Sequence, residues 1–113
     1  MYDELKIEQT ASIGEALKQM DVVRRKLLMV FDADTFVALL SIGDIQRAII
    51  NNFDLNTDVK SILRNDYILA RISESKEEVK DKMLSIRAEF MPVLDENRQL
   101  VKVYFWEDLF GTQ

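Results

Sequence analysis

Apolar positions follow two rhythms along this chain, and the sharpest change between them lies in its first half. Phe36 to Leu40 is an unbroken apolar run, the pattern of a strand covered on both faces. It stops at Ser41-Ile42-Gly43-Asp44, after which Ile45, Ala48 and Ile49 fall at i, i+3 and i+4, the spacing of one buried helical face. Upstream, Leu27 to Phe31 predicts a second strand, and Asp32-Ala33-Asp34-Thr35 between the two has the composition of a tight reversal. A helix precedes them, opened by a Ser12-x-x-Glu15 capping box and carrying Ile13, Ala16, Leu17 and Met20 on one face. A short strand over Leu5 to Glu8 begins the series.

The series then repeats. A shift of 63 sets Ser12 on Ser75, Glu15 on Glu78, Met20 on Met83, Arg24 on Arg87, Val30 on Val93 and Asp32 on Asp95. With one extra residue, a shift of 64 sets Val37 on Val101 and Asp44 on Asp108. The second round predicts a strand over Tyr67 to Ile72, a capping box at Ser75-x-x-Glu78, and a helix with Val79, Met83 and Ile86 facing inward. Strands over Phe90 to Leu94 and Leu100 to Phe105 flank the turn Asp95-Glu96-Asn97-Arg98, and a helix closes the unit. Residues 1–56 and 57–113 are the two copies. The connection, Asn51 to Asp66, holds a short helical candidate at Asp58 to Leu63 and no Gly/Ser tract, so it is not a flexible linker. The first copy's last helix runs to about Asn52, whose counterpart is position 116. The repeat therefore predicts that this is a piece of a longer protein.

Composition narrows the chemistry. With 113 residues, 48% hydrophobic and 31% charged, the chain is an ordinary globular domain with room for a core. A net charge of −5 argues against nucleic acid, whose binding draws on many Lys and Arg contacts to phosphate. No apolar run approaches the roughly 20 residues of a membrane span, and Met-Tyr-Asp-Glu-Leu-Lys is acidic where a signal peptide is basic. Cysteine and histidine are absent. That removes disulfides, Ser-His-Asp and Cys-His catalysis and the usual zinc ligands, and leaves a cytoplasmic location as the expectation. The three glycines, at 14, 43 and 111, form neither a Walker loop nor a dinucleotide fingerprint. Asp32 and Asp34 lack a neighbouring base, and a solvated turn explains them. No catalytic residue and no metal site is expected.

What remains is the corner at Ser41 to Asp44. It sets a hydroxyl and a carboxylate three residues apart at a helix start, beside backbone N–H groups that suit an anion. The same residues read equally well as a capping box, with Ser41 accepting the Asp44 N–H and the carboxylate reaching back. The two readings are compatible.

A doubled strand-helix-strand-strand-helix unit of about 60 residues resembles the cystathionine-β-synthase (CBS) domain, which occurs in tandem as a Bateman module. Val37-Ala38-Leu39-Leu40-Ser41-Ile42-Gly43-Asp44 is similar to that family's third-strand signature, hydrophobic-Gly-hydrophobic-x-Thr/Ser-x-x-Asp, and Pro92-Val93-Leu94-Asp95 to its frequent Pro-Val-x-Asp. Gly43-Asp44-Ile45-Gln46-Arg47-Ala48 resembles a run in modules fused to sugar-phosphate nucleotidyltransferases. The fold this implies is α/β, a tandem of two β-α-β-β-α repeats with pseudo-two-fold symmetry.

The function it implies is that of a non-catalytic regulatory module sensing an adenine nucleotide or related anion, with a linked sugar-phosphate nucleotidyltransferase as the regulated enzyme. AMP, ADP, ATP and S-adenosylmethionine are the expected ligands, none of them a required cofactor. Homodimers are common in the family, and the alternative is a structural, dimerising module that binds nothing. By this resemblance Asp44 accepts from ribose hydroxyls, Ser41 donates to ribose or phosphate, Ile42 and Gly43 offer the helix start, and Ala38 lets a base lie close to the strand. The second copy keeps only Asp108, because Lys102 and Phe105 stand where Ala38 and Ser41 do. One competent site per chain, in the first copy, is therefore expected. For Tyr104 to Trp106, packing outweighs base stacking. For Arg24-Arg25-Lys26, Arg47 and Arg64, solvation outweighs phosphate contact.

Overall fold

The computed structural model describes residues 2–111. They form two compact units, which divide between Tyr67 and Ile68.

In the first unit, strand β1 (Lys6–Glu8) follows a single 3-10 turn, and helix α1 (Ile13–Val23) carries the chain across to β2 (Leu27–Asp32). The crossover makes β1 parallel to β2, with Ile7 opposite Val30. Strand β3 (Thr35–Ser41) returns antiparallel to β2, with Val30 opposite Ala38, and runs without a loop into α2 (Ile42–Ile50). Strand order is β1-β2-β3. The helices bury Ile13, Ala16, Met20, Ile45 and Ala48 against Leu28, Val30 and Leu40 of the sheet. Ile49, expected on the buried face of α2, is 48% exposed; the inward face of this helix is narrower than the sequence suggests.

The connection belongs to the first unit. Its 3-10 turn, Val59–Ile62, stands where a short helix was expected, and Val59 is fully buried in the first core. Thr57 and Leu55 carbonyls accept from Ile13 and Gly14 N–H, while Val59 and Lys60 N–H donate to Ala11 and Gln9 carbonyls. A Cβ at Gly14 would touch the Leu55 oxygen at 3.4 Å, so the connection lies in van der Waals contact with the start of α1. The compact unit thus extends past residue 56, to Tyr67.

The second unit repeats the plan with β4 (Ala70–Arg71), α3 (Lys76–Ile86), β5 (Phe90–Leu94), β6 (Leu100–Phe105) and α4 (Trp106–Phe110), in sheet order β4-β5-β6. Strand β4 is shorter than the Tyr67 to Ile72 expectation. Val79 and Met83 are buried, but Ile86 is 42% exposed at the helix end. The repeat holds at the level of irregularities. The register shifts between Val30 and Phe31 and between Val93 and Leu94. Gln19 donates to the Lys6 carbonyl and Lys82 to the Leu69 carbonyl, tying each first helix to the start of its unit.

Both first helices end on an arginine in the left-handed region, Arg24 at φ 59° and Arg87 at φ 53°, whose N–H groups return to Met20 and Met83 carbonyls. A side chain in that conformation costs about 1–2 kcal/mol, which glycine avoids. Glycine's larger unfolded-state freedom offsets about 0.4–1 kcal/mol of the gain. Arg24→Gly and Arg87→Gly should each raise stability by about 0.5–1 kcal/mol. Urea midpoints that fail to rise in both variants would show that these arginines make compensating contacts.

Candidate functional site

Ser41 ends β3 in extended conformation and caps α2. Its Oγ accepts from the Asp44 N–H at 3.1 Å, and the Asp44 carboxylate accepts from the Ser41 N–H at 2.8 Å, a complete capping box. The reciprocal bonds turn Asp44 inward, and its side chain is only 2% exposed. A buried carboxylate needs opposite charge, and two arginines supply it. Arg47, one turn along α2, donates from Nη2 to Oδ1 at 2.6 Å. Arg64, in the connection, donates from Nε to Oδ1 in a short contact and from Nη2 to Oδ2 at 3.4 Å. Its Nη1 also meets the Asp66 carboxylate at 2.7 Å.

Burial alone would raise the Asp44 pKa, but the bonds from Arg64, the Ser41 N–H and Arg47 outweigh it and hold the carboxyl below its ordinary 3.8. The hydrogen bond to Asp44 likewise raises Arg64 against the opposing effect of burial. The corner therefore sets one ionised carboxylate between two guanidinium groups, with the Asp66 carboxylate on the outer side of Arg64.

The other expected site residues lie around it. Ile42 and Gly43 form the first turn of α2, and the Ile42 N–H donates to the Lys26 carbonyl at 2.9 Å. The Arg47 guanidinium lies over Gly43, where a Cβ would be 3.5 Å from Nη1. Ala38 is on β3, one partner of Val30, and is buried. Three expectations of openness thus change: Gly43 is overlaid by an arginine, Ala38 is covered, and two of the helix's first N–H groups are engaged within the chain. Arg47 and Arg64 meet a carboxylate instead of remaining merely solvated.

No family model and no curated protein matches the sequence. Solved structures do match. The CBS domains of a transcriptional regulator from Streptococcus pneumoniae superpose on 98% of this chain and 91% of theirs, with a TM-score of 0.79 at 17% identity. A CBS domain pair/ACT domain protein from Thermotoga maritima gives 0.77 at 18% identity, over 96% of this chain and 87% of its own. A CBS domain protein from Pyrobaculum aerophilum, complexed with AMP, gives 0.74 at 26% identity, over 96% of this chain and 85% of its own.

The chain has the fold of a CBS domain pair. Its second CBS unit carries a different corner. Phe105, at the N-cap of α4, makes no side-chain cap bond, and Asp108 is exposed. Phe105 packs on Phe90 with ring centroids 6.0 Å apart, and Trp106 on Phe110 at 4.2 Å. Tyr104, Trp106, Leu109 and Phe110 cover the core around Val79, Met83 and Met91, so these aromatics do pack. The Lys102 ammonium stands 4.5 Å from the Tyr104 ring. Among the described residues, no group of carboxylates, His or Cys is placed to hold a metal ion, and no helix is long and apolar enough to cross a membrane.

Sequence reading grouped Arg64 with other surface cations and missed its partner. Arg47 was within reach of inference, being i+3 from Asp44 on a predicted helix. Nothing local pairs Arg64 with a residue twenty positions away.

Because its folded-state pKa is depressed, Asp44 contributes stability at neutral pH that is lost as pH falls below 3.8 and through the folded value. Asp44→Asn should cost about 1.5–3 kcal/mol near neutral pH, where charge-assisted bonds are lost. The deficit should shrink as the pH falls below 3.8 and on through the depressed folded value. Denaturant midpoints across that range are the check, and a deficit that stays constant with pH would mean the carboxylate charge is not what the corner uses.

Proposed function

We propose that this chain is a regulatory module whose first CBS unit binds an adenine nucleotide at the β3–α2 corner. The observation that carries the reading is the asymmetry of the two corners. One has a capped, ionised, buried carboxylate with two guanidinium groups beside a helix start; the other has an uncapped aromatic corner with an exposed Asp108. The ligand class is supported by the Pyrobaculum aerophilum protein of the same fold, which is complexed with AMP. Asp44 is acceptor-only and suits a ribose diol. Ser41 lies next to it as a hydroxyl donor, and Ile42 and Gly43 border the site. Arg47, whose side chain is 60% exposed, suits the phosphate, since a guanidinium forks well onto phosphate oxygens. In this reading the Gly43-to-Ala48 run marks a module that controls a linked sugar-phosphate nucleotidyltransferase.

One observation favours the second reading, a module that binds nothing and holds copies of a larger protein together. The acceptor sites of Asp44 are filled from within the chain, while Val22, Ile49 and Ile50 on α1 and α2 are exposed apolar side chains. Self-association fits either reading, and light scattering tests it. A monomer at tens of micromolar, roughly the range of weak interfaces, would count against both forms of dimer.

Nucleotide at about 100 times its dissociation constant should add roughly 2.7 kcal/mol of stability. Melts with AMP, ADP, ATP and S-adenosylmethionine separate the ligands, and no shift with any of them supports the structural reading. Calorimetry should give one nucleotide per chain. Asp44→Ala should weaken binding by about 1.5–3 kcal/mol, and Asp108→Ala should leave it unchanged. Equal losses in the two variants would overturn the asymmetric assignment.

A further inference from the structure

An ionised carboxylate has about four acceptor positions. Asp44 uses them on the Ser41 N–H, Arg47 Nη2, Arg64 Nε and Arg64 Nη2. A vicinal diol needs two of those positions, so it cannot bind while all are taken. The partners differ in how easily they leave. The Ser41 N–H belongs to the capping box, and releasing it opens the start of α2. Arg47 holds a single position. Arg64 holds two, one of them long at 3.4 Å, and it comes from an irregular stretch between the 3-10 turn ending at Ile62 and β4 beginning at Ala70. Its charge has a second partner as well, Asp66, whose carboxylate is 79% exposed and stays available when Arg64 swings away.

We propose that Arg64 is an intramolecular latch, which occupies the ribose-accepting face of Asp44 and must be displaced before a nucleotide binds. Two positions of Asp44 then pass from the guanidinium to the ribose hydroxyls. The charge of Arg64 moves to Asp66 and solvent, while Arg47 and Ser41 keep the carboxylate ionised. The latch rests on the nucleotide reading of the corner. It adds a threshold, because the apparent affinity falls by the fraction of molecules in which Arg64 is away.

The test is calorimetry with AMP and with adenosine on the wild-type chain, Arg64→Ala and Arg64→Lys. With the guanidinium gone, Arg64→Ala should bind both ligands about tenfold more tightly, the gain expected when a one-in-ten competent state becomes the whole population. Its melting temperature without ligand should be lower than wild type. Arg64→Lys, which keeps the charge but loses the two-pronged grip, should fall between. A merely structural arginine would lower stability and leave affinity unchanged or weaker, and that result overturns the latch while the nucleotide reading stands. Weaker AMP with unchanged adenosine would make Arg64 a phosphate ligand and overturns the latch equally. Binding by Arg64→Ala alone, with none by wild type, is the latch in its strongest form. If no variant binds either ligand, the nucleotide reading fails and the latch with it.

Discussion

A charge buried to 2% exposure has to be answered, and the way Asp44 is answered organises the first unit. Its oxygens reach the end of β3 at Ser41, the body of α2 at Arg47 and the connection at Arg64. One side chain thus pins a strand end, a helix start and a segment twenty residues downstream. Removing a partner from such a cluster costs more than the cluster gains overall, because the remaining charge is left uncompensated. The exposed part of Arg47, screened by solvent, contributes less than the better-covered Arg64.

The same residues serve cap and candidate site, and the two uses compete for the same lone pairs. A capping box consumes one oxygen of Asp44 and one N–H of Ser41, yet it also aims the carboxylate and fixes its rotamer. A binding group held this firmly needs no ordering when a ligand arrives. Its cost is that the positions a ligand wants are already occupied by arginine. Stability of the empty corner and affinity for a ligand therefore pull in opposite directions at a single carboxylate.

Much of the fold was legible because period, cap and turn agreed. The strand run at Phe90–Leu94, the full capping box at Ser75 and the inward faces of α1 and α3 follow from local pattern. At Ser12 only half of the expected box forms, the Ser12 hydroxyl accepting from the Glu15 N–H and donating to the Glu15 carboxylate. Ile49 and Ile86 were misplaced because each lies at the margin of its apolar stripe, where periodicity assigns a face but not a depth. The Ser41–Asp44 cap was legible for the same local reason. Arg64 was not, since an ion pair between an irregular segment and a distant helix leaves no periodic trace. The missing side-chain cap at the second corner was readable from Phe105, which stands where the first copy has Ser41.

The connection carries a consequence for how such units are exchanged. The sequence repeats with a boundary near residue 56, but Val59 fills the first core and Arg64 neutralises Asp44, both from beyond that point. A cut at the repeat boundary would strip the first unit of a buried valine and of a counter-ion. Recombination that respects the fold must fall after Tyr67. The module that duplicates in sequence and the module that can be transplanted intact are different lengths of chain.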